Sequence, residues 1–429
     1  MLDIKLIRNN PQIVRKDLEK RKDNNKLTLL NQTIQYDQEW LKAKKEIDIL
    51  RNKRNTISKD ISEAKKQGKD TSEILKQAAL IPKQIQEKEE RITFLENNIK
   101  NNLYNLPNIL HESVPYGATD EDNLTVKTFG KKPDYKFPLK SHVDLLQDLN
   151  LVDLERAAKI SGARFWFLKN EAVLLDLALQ RYAIDFMLKK KYQLLNPPYM
   201  IHKEPYEGVT SMGDFADVLY KIENEDLYLI ATSEHPLTSM YMNEVMEDKD
   251  LPLKSIGVSP SFRKEAGAHG KDTKGIFRGH QFHKIEQVII CKPEESWKYH
   301  EELIKNAIAF FESLELHFRQ INICTGDIGI VASKKYDLEV WMPAQQQYRE
   351  VVSCSNCTDY QSRRLNIRYR ANTNEGNPFV HTLNSTVVAT SRAIVAILEN
   401  YQTKDGTIKI PKVLQPYMNG IKEIKPAKK

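Results

Sequence analysis

The N-terminal hundred residues place apolar side chains at alternating spacings of four and three, the period of helices that wrap around one another. One such series runs through 29–64 and a second through 74–99, and a short polar stretch with Gly68 separates them. Two heptad runs of similar length with a tight turn between them predict an antiparallel coiled-coil hairpin. Pro82 lies inside the second series, so we expect either a kink or a later start of that helix.

From residue 138 onward the apolar residues are more concentrated and the pattern becomes mixed. Helical periodicity appears in "LLDLALQRYAIDFMLKK", "SWKYHEELIKNAIAFFESL" and "STVVATSRAIVAILENY". Between these segments lie short β-rich runs, "LYLIAT", "SIGVSPSF", "QFHKIEQVIIC" and "YDLEVWMP". Strands joined by local hairpins and flanked by helices predict an α+β fold with an antiparallel β-sheet core.

The two patterns divide the chain into three parts. Residues 1–110 are expected to form a helical domain that contains the coiled-coil hairpin, and residues 138–429 the α+β domain. The segment 111–137 is rich in Pro, Gly and Asp, and we interpret it as a linker.

Positive charge is concentrated in the N-terminal domain. Its 110 residues contain 23 Lys and Arg against 16 Asp and Glu, a net charge of +7 that equals the net charge of the whole chain of 429 residues. A basic extension on a neutral body indicates a polyanionic partner such as nucleic acid. A lysine-rich helix pair that is simply well solvated is the alternative.

Other features of the composition narrow the class of protein. There is no run of about 18 apolar residues that would predict a membrane span. The start "MLDIKLIRNNPQ" has charges where a signal peptide would be apolar. Four cysteines in a chain of this length indicate free thiols in a reducing compartment. We therefore expect a cytoplasmic protein without a membrane partner.

A basic loop in the second half carries the clearest candidate chemistry. The stretch "FRKEAGAHGKDTKGIFRGHQFHKIE", residues 262–286, places Arg263 at the end of a predicted strand, where its guanidinium fork can bind a phosphate or a carboxylate. Phe282 and Glu286 share a strand face, so Phe282 can stack on a base while Glu286 accepts from an amine or hydroxyl. A solvated loop with Phe282 in the core is the alternative. The loop's glycines and lysines are Gly267, Gly270, Gly275, Lys264, Lys271 and Lys274.

This hairpin resembles motif 2 of the class II aminoacyl-tRNA synthetases, and four further segments resemble the seryl-tRNA synthetase family in the same order. They are "RAAKISGARFWFLKN", "YLIATSEHPL", "YREVVSCSNCTDYQSRR" and "HTLNSTVVATSRAIVAILENYQ". The chain is identified as a member of that family, in its common form without zinc. In "LNSTVVATSR" Ser385 and Thr386 stand where bacterial members have Gly-Ser, which is similar to the archaeal and eukaryotic branch.

The resemblance implies an enzyme, a class II ligase that uses ATP to activate L-serine as seryl-adenylate. It implies transfer of the seryl group to the 3'-terminal adenosine of tRNA(Ser), with tRNA(Sec) as a further candidate acceptor. The basic coiled-coil arm is then the tRNA-binding element and residues 138–429 the catalytic domain. Pro198 in "NPPYM" resembles the motif 1 proline at a homodimer interface.

Carried over residue by residue, the resemblance implies a complete set of ligands. The catalytic residues are Arg263, Glu350 and Arg392. Serine is held by Thr232, Glu234, Arg263, Glu286, Asn384 and Thr386. ATP is held by Arg263, Lys264, Glu265, Gly279, His280, Gln281, Phe282, Glu350, Val351, Val352, Ser353 and Arg392, with Arg278 near the outer phosphates. The Mg²⁺ that accompanies ATP, a hard ion suited to oxygen ligands, is held by Glu350 and Ser353.

Three details of the motifs carry expectations of their own. Thr232 and Glu234 are two residues apart, so we expect them on one face of a strand. Gly279 stands where the family more often has a bulky residue, which predicts a looser hairpin near the adenine. Cys354 and Cys357 have the spacing of half a zinc site. No second CxxC exists and the family carries the same "CSNC" without metal, so no structural zinc is expected.

Three other interpretations compete with this one. A binding paralogue that has lost activity would show substitutions among the motif residues, and none is found at Thr232, Glu234, Arg263, Glu286, Glu350 or Arg392. A class II ligase for another amino acid is disfavoured by the basic arm and by "TSE". A coiled-coil structural protein accounts for residues 29–103 and for nothing after them.

Overall fold

The computed structural model describes residues 1–211, 217–265, 272, 274–371 and 376–426. The chain divides into two units, Met1–Ile109 and Leu110–Lys429. Across the described parts of the chain, none of the helices has the length and apolar composition that crossing a bilayer requires.

The first unit is helical, and its two long helices form the predicted hairpin. Its helices are α1 (Ile4–Asn9), α2 (Pro11–Lys20), α3 (Asn24–Lys66) and α4 (Ser72–Asn105). The side chain of Asp23 caps α3 by accepting hydrogen bonds from the backbone N–H groups of Asn25 and Lys26. The seam between α3 and α4 buries Ala43, Ile47, Ile57, Ile81, Ile85 and Ile92. The predicted coiled-coil arm is therefore confirmed.

Helix α4 starts at Ser72 and continues through Pro82. Of the two alternatives, the later start is therefore wrong, and the kink stays a prediction. A proline inside a helix removes one backbone hydrogen bond. Ile81 and Ile85, on either side of it, are only 2% and 7% exposed in the seam. Burying a large aliphatic side chain contributes about 1.5–3 kcal/mol, so the packing of the seam offsets the local loss.

Ion pairs between α3 and α4 are concentrated at one end of the hairpin. In this unit, which is described throughout, the pairs that cross the seam are Lys44–Glu96 at 3.6 Å, Arg51–Glu89 at 2.9 Å, Glu46–Lys88 and Glu39–Arg91. All four join the part of α3 before residue 52 to the part of α4 after residue 87. Exposed pairs of this kind contribute little stability each, but together they favour one register.

The second unit combines short helices with one large sheet. Helices α5 to α12 are His142–Asp148, Leu154–Ser161, Glu171–Leu188, Lys203–Val209, Glu234–Ser239, Ser296–Ser313, Tyr360–Leu365 and Thr390–Tyr401. Strands β1 to β8 are Leu124–Phe129, Val152–Asp153, Phe167–Leu168, Gln193–Leu195, Met200–Ile201, Tyr228–Leu229, Val245–Met246 and Leu253–Phe262. Strands β9 to β16 are Gln281–Cys291, Phe318–Asn322, Lys334–Met342, Gln347–Asn356, Arg368–Tyr369, His381–Ala389, Ile408–Lys409 and Glu423–Ile424. Short 3-10 turns are Asp120–Asp122, Asp248–Asp250, Pro293–Glu295 and Lys412–Met418.

The large sheet has the order β1-β10-β11-β12-β14-β9-β8-β4 within the described residues. Its neighbouring strands are antiparallel, except that β4 and β8 are parallel. One face packs against α7, α10 and α12 in a main core that contains Leu179, Phe310, Ile394, Ile285 and Leu338. The predicted α+β fold with an antiparallel sheet and flanking helices is confirmed.

Three segments differ from the sequence predictions. Residues 124–129, inside the expected linker, form the edge strand β1. Residues 385–389, expected to be helical, belong to β14 in the middle of the sheet, because β-branched side chains favour a buried strand. Helix α12 starts only at Thr390. Of "LYLIAT", only Tyr228–Leu229 is a strand.

Candidate active site

A cavity of about 560 Å³ opens on the face of the sheet that is turned away from the main core. The predicted site residues that line it are Thr232, Glu234, Arg263, Phe282, Glu286, Glu350, Val351, Ser353, Asn384, Thr386 and Arg392. They come from five segments that are distant in sequence, so the sheet brings the quoted motifs together.

Strand alternation and a bulge aim these side chains at the cavity. In β9, Lys284 and Glu286 line the cavity whereas Ile285 packs in the main core. Glu350 and Ser353 of β12 are three apart and would face opposite sides of a regular strand. The pairing of β12 with β11 skips one residue directly after Glu350. This bulge turns both side chains to the cavity.

Two carboxylates lie close together at one end of the cavity. Glu286 is 2% exposed and forms an ion pair with the Nζ of Lys284 at 2.8 Å. Glu234 accepts a hydrogen bond from the Nε2 of Gln361 at 2.9 Å. Burial, and after it the nearby Glu286, raise the pKa of Glu234 to about 7. This end holds more negative than positive charge and suits a cation such as an ammonium group.

A glycine allows the segment that carries Glu234 to lie directly on β8. Gly257 is the cross-strand partner of Glu286. A Cβ atom on Gly257 would lie 2.5 Å from the Cβ of Ser233, and the Ser233 hydroxyl donates to the Gly257 carbonyl oxygen at 3.3 Å. Because no side chain intervenes, Glu234 reaches the neighbourhood of Glu286.

Thr232 and Glu234 do not share a strand, so that expectation is wrong. Helix α9 begins at Glu234, and the Oγ1 of Thr232 accepts a hydrogen bond from the Glu234 backbone N–H at 3.2 Å. A hydroxyl side chain two residues before the first helical residue satisfies such a backbone donor, which favours the turn over a continued strand. Both side chains still line the cavity.

Two guanidinium groups occupy the other part of the cavity. Arg263 donates its Nε to the Ala231 carbonyl oxygen at 3.2 Å. Arg392 donates its Nη1 to the Glu350 carbonyl oxygen at 3.0 Å and lies 3.2 Å from the Glu350 Oε1. Burial, and after it the nearby Arg392, lower the pKa of Arg263. Two convergent guanidinium groups suit a phosphate or a carboxylate.

Glu350 and Ser353 lie beside a buried aspartate. Asp337 is the cross-strand partner of Ser353 and is paired with the Nζ of Lys335 at 3.1 Å. Its Oδ1 is buried without a hydrogen-bond partner among the described residues. Burial, with a contribution from Glu350, raises the pKa of Asp337. Burial also opposes ionisation of Glu350, but the cations Arg392, Lys335 and Arg263 outweigh it and hold the pKa of Glu350 well below its usual range. These oxygen atoms fit a hard divalent cation.

Phe282 offers an aromatic face inside the cavity. The Cζ of Arg263 lies 5.5 Å from the centroid of its ring. A flat apolar surface next to a guanidinium group is suited to a purine base that carries a phosphate.

Several predicted nucleotide ligands do not line this cavity, namely Lys264, Glu265, Gly279, His280, Gln281 and Val352. Val352 packs in the main core. The Nδ1 of His280 lies 2.7 Å from the Tyr220 hydroxyl, and the His280 ring stacks on Phe165 at 5.0 Å. Glu265 accepts a hydrogen bond from the Nη1 of Arg278 at 2.9 Å. In the same loop, Gly267, Gly270 and Lys271 lie outside the described residues.

The expected loosening of the hairpin at Gly279 is not seen, because an indole fills the space. A Cβ atom on Gly279 would lie 2.0 Å from the Cζ3 of Trp166. Trp166 therefore supplies from another segment the bulk that the hairpin residue lacks.

The two cysteines of "CSNC" lie in different environments. Cys354 packs in the main core, whereas Cys357 lines the cavity and accepts a hydrogen bond from the Nδ2 of Asn384 at 3.7 Å. Within the described ranges, no group of three or more His, Cys, Asp and Glu side chains is arranged to hold a metal ion.

Sequence reasoning missed several polar residues of the site, among them Lys284, Lys335, Asp337 and Gln361. Lys284 lies two residues before Glu286, so the alternation of β9 could have placed it in the cavity. Asp337 and Gln361 reach the site from neighbouring elements, and no spacing in the sequence indicates that contact.

Comparison with known proteins shows which family the chain belongs to. Residues 219–401 match the model of the tRNA synthetase class II core domain (G, H, P, S and T), and residues 1–110 match that of the seryl-tRNA synthetase N-terminal domain. The serine–tRNA ligase of Methanocella arvoryzae is 53% identical over 422 residues, which are 98% of this chain and 99% of that protein.

Two solved structures resemble the chain over its length. The seryl-tRNA synthetase from Pyrococcus horikoshii complexed with ATP has a TM-score of 0.97 and 51% identity, with 100% of both chains covered. The cytoplasmic serine–tRNA ligase from Naegleria fowleri in complex with AMP has a TM-score of 0.91 and 36% identity, with 100% of this chain and 99% of that chain covered.

The raised pKa of Glu234 predicts that kcat/KM for an amino-acid substrate depends on pH. Below about pH 7 the carboxyl is protonated and neutral, and it no longer attracts an ammonium group. We expect kcat/KM for serine in ATP–pyrophosphate exchange to fall by up to about tenfold per pH unit below that pKa, while the KM for ATP changes little. A profile that is flat between about pH 6 and about pH 8 would contradict this role of Glu234.

Proposed function

Because the chain belongs to the seryl-tRNA synthetase family, enzymes that use ATP to join serine to tRNA, we propose that it does so in two steps. Serine and ATP first give seryl-adenylate and pyrophosphate. The seryl group then passes to the 3'-terminal adenosine of tRNA(Ser), and AMP is released. The same transfer step would serve tRNA(Sec), a second acceptor to be tested beside the first.

The distribution of charge in the cavity carries this proposal. The carboxylates of Glu234 and Glu286 act on each other at one end, and the guanidinium groups of Arg263 and Arg392 act on each other beside Glu350. Serine is a zwitterion, so its ammonium group fits the first end, with Thr232 beside it, and its carboxylate fits Arg263. The phosphates of ATP complete the neutralisation of the two arginines.

We assign the serine hydroxyl to the part of the wall formed by β14. Asn384 and Thr386 are 7% and 5% exposed and line the cavity. Buried polar groups that lose their ligand remain unpaired, which is costly. A pocket of this kind rejects alanine strongly, because alanine lacks the hydroxyl.

We place the adenine on the ring of Phe282 and the α-phosphate at Arg263. The predicted ligands outside the cavity, Lys264, Glu265, Gly279, His280 and Gln281, belong to the hairpin next to Phe282 and would contact the nucleotide from its rim. The side chain of Val352 packs in the core, so Val352 can contribute only through its backbone.

Glu350 and Ser353 would hold the Mg²⁺ that accompanies ATP. Their oxygen atoms fit such an ion, as does the Oδ1 of Asp337, which has no hydrogen-bond partner in the described part of the chain. When bound, the ion neutralises phosphate charge as a Lewis acid.

The chain's own residues act in adenylate formation by positioning and by neutralising charge. A serine carboxylate oxygen attacks the α-phosphorus, an O–P bond forms, and the bond to pyrophosphate breaks. The nucleophile is already an anion, so no general base is needed. Arg263 brings carboxylate and phosphate together, and Arg392 stabilises charge on the outer phosphates.

Loss of Arg263 is expected to abolish the first step. Wild-type protein should show ATP–pyrophosphate exchange with serine, weaker exchange with threonine and none with alanine. Arg263→Ala should reduce exchange by about a thousandfold or more, because it removes a charge from the reacting phosphate. Arg370→Ala, at a side chain that is 65% exposed and outside the cavity, is the matched control. Exchange retained by Arg263→Ala would refute the phosphate role.

We further propose that the end of the coiled-coil arm contacts tRNA. Residues 52–84 contain eight Lys and Arg against four Asp and Glu. In this segment, which is described throughout, the one ion pair is Lys76–Glu73. The cross-seam pairs lie at the opposite end of the hairpin, so the basic side chains near the turn stay available for phosphates.

Charge reversal near the turn should therefore weaken aminoacylation selectively. Lys65→Glu, Lys66→Glu and Lys69→Glu together should raise the KM for tRNA(Ser) by about tenfold or more. The slope of the logarithm of tRNA affinity against the logarithm of salt concentration should decrease by about one unit for each lost phosphate contact. Serine-dependent exchange should be unchanged. The matched control reverses three exposed lysines of the second unit, Lys404, Lys409 and Lys422. Equal KM values for tRNA in the two variants would argue against a contact between the end of the arm and tRNA.

A homodimer is part of the same proposal. Large apolar side chains are exposed on α6, α7 and the strands near Pro198, among them Ile160, Phe167, Val173, Leu177, Leu194 and Met200. We infer that these side chains form one patch that a second copy of the chain covers, because a monomer seldom exposes a large contiguous apolar patch. We expect sedimentation analysis of the wild type to give twice the chain mass. Leu177→Asp, at a side chain that is 55% exposed, should lower the measured mass toward that of the monomer. A wild-type monomer would exclude this interface.

A further inference from the structure

Gln361 is a buried side chain behind the wall of the cavity. It belongs to α11 and is 1% exposed. Its Nε2 donates to the Oε1 of Glu234 at 2.9 Å and to the Val209 carbonyl oxygen at 2.9 Å. Its Oε1 accepts a hydrogen bond from the Thr382 hydroxyl at 2.6 Å. The carboxamide therefore joins three separate segments.

These partners permit one orientation of the amide. The ionised carboxylate of Glu234 and the carbonyl of Val209 present only acceptor oxygens to Gln361, so both must face the NH₂ group. A flipped amide would place its oxygen against a carboxylate and a carbonyl oxygen. Thr382 is 1% exposed, and its hydroxyl donates the hydrogen bond that the amide oxygen accepts.

We propose that Gln361, oriented by Thr382, is a positioning residue for the amino-acid pocket, because it fixes one oxygen of Glu234 and directs the other to the ligand's ammonium group. This inference rests on the proposed function, in which Glu234 binds that group. Glu234 lines the cavity, whereas Gln361 does not, so Gln361 acts through the carboxylate and not on the substrate.

The electrostatic surroundings of Glu234 explain why such a donor is needed. The charged groups that act on it are Glu286 and Lys284 from β9 and Arg263 from the end of β8. Lys284 is paired with Glu286, so Glu234 faces a second carboxylate and has no ion-pair partner of its own among the residues that the structure describes. A hydrogen bond from a neutral amide favours the ionised carboxylate and leaves the pocket's charge available for the ammonium group.

A purely structural role in anchoring α11 does not require Gln361. Ser362, its neighbour, donates its hydroxyl to the Val380 carbonyl oxygen at 2.6 Å. Arg364 donates its Nη1 to the carbonyl oxygens of Glu207 at 3.0 Å and Thr210 at 2.9 Å. These bonds connect α11 to the residue directly before β14 and to the end of α8, and none of them involves Glu234.

Steady-state exchange kinetics of the full-length protein test the inference. Gln361→Met keeps the size of the side chain and removes its hydrogen bonds. We expect the KM for serine to rise by about 10- to 100-fold, because the lost bond is to a charged group, while the KM for ATP stays within about twofold. Ser362→Ala, which removes an anchor of the same helix, should leave both constants within about twofold.

A double-mutant cycle with Glu234→Gln separates positioning from packing. If Gln361 acts through Glu234, Gln361→Met should have little further effect on kcat/KM for serine in the Glu234→Gln background. Equal effects of Gln361→Met in both backgrounds would overturn the inference, as would equal increases in the KM values for serine and ATP.

Gln361→Glu supplies a second readout. It keeps the acceptor for Thr382 but places a carboxyl group against Glu234, so the acid limb of the kcat/KM profile for serine should move to higher pH. An unmoved limb would count against the proposal. Wild-type exchange with serine tests the proposed function separately. If the wild type is active and Gln361→Met has an unchanged KM for serine, only the inference about Gln361 is refuted.

Discussion

Like charges held together at each end of one cavity are the constraint on which the site depends. At one end two carboxylates, Glu234 and Glu286, share a single ammonium group, that of Lys284. At the other, Arg263, Arg392 and Lys335 outnumber Glu350 and Asp337. Buried charges without full partners are costly in the folded protein. A ligand of opposite sign would therefore complete each end, and a molecule that carries an ammonium group and an anionic group at the right separation would satisfy both at once.

The sheet maintains that constraint because its two faces separate packing from chemistry. On β9 the same strand supplies Ile285 and Ile289 to the core and Lys284 and Glu286 to the cavity. The alternation is broken at two positions beside the cavity. The bulge after Glu350 brings that carboxylate to the cavity, and the pairing of β14 with β9 skips Val387, so that Val388 packs in the core and Ala389 lines the cavity. Both irregularities lie where the site needs a residue that a regular strand would turn away.

The sequence predicted what depends on local pattern and missed what depends on contacts between segments. The limits of β9 and the hairpin of α3 and α4 follow from periodicity, and both were predicted. The placement of 385–389 was not, since a run of apolar and β-branched residues before a helix is compatible with either element. Nothing in the local sequence shows that Gly257 admits Ser233, that Trp166 fills the space over Gly279, or that Gln361 meets Glu234. These contacts join residues far apart in the chain, and they decide how the predicted ligands are oriented.

The two units use basic residues in physically different ways. Near the turn of the hairpin, Lys65, Lys66 and Lys69 are exposed, so their attraction for an anion is screened by salt and acts over about 10 Å at moderate ionic strength. In the cavity, Arg263 and Arg392 are held by hydrogen bonds to Ala231 and Glu350 and are largely withdrawn from water, so their fields are strong, short-ranged and fixed in direction. The first arrangement suits the capture of a large polyanion in many orientations. The second suits a reaction in which negative charge passes from an attacking carboxylate to a leaving pyrophosphate within one site, and neither could replace the other.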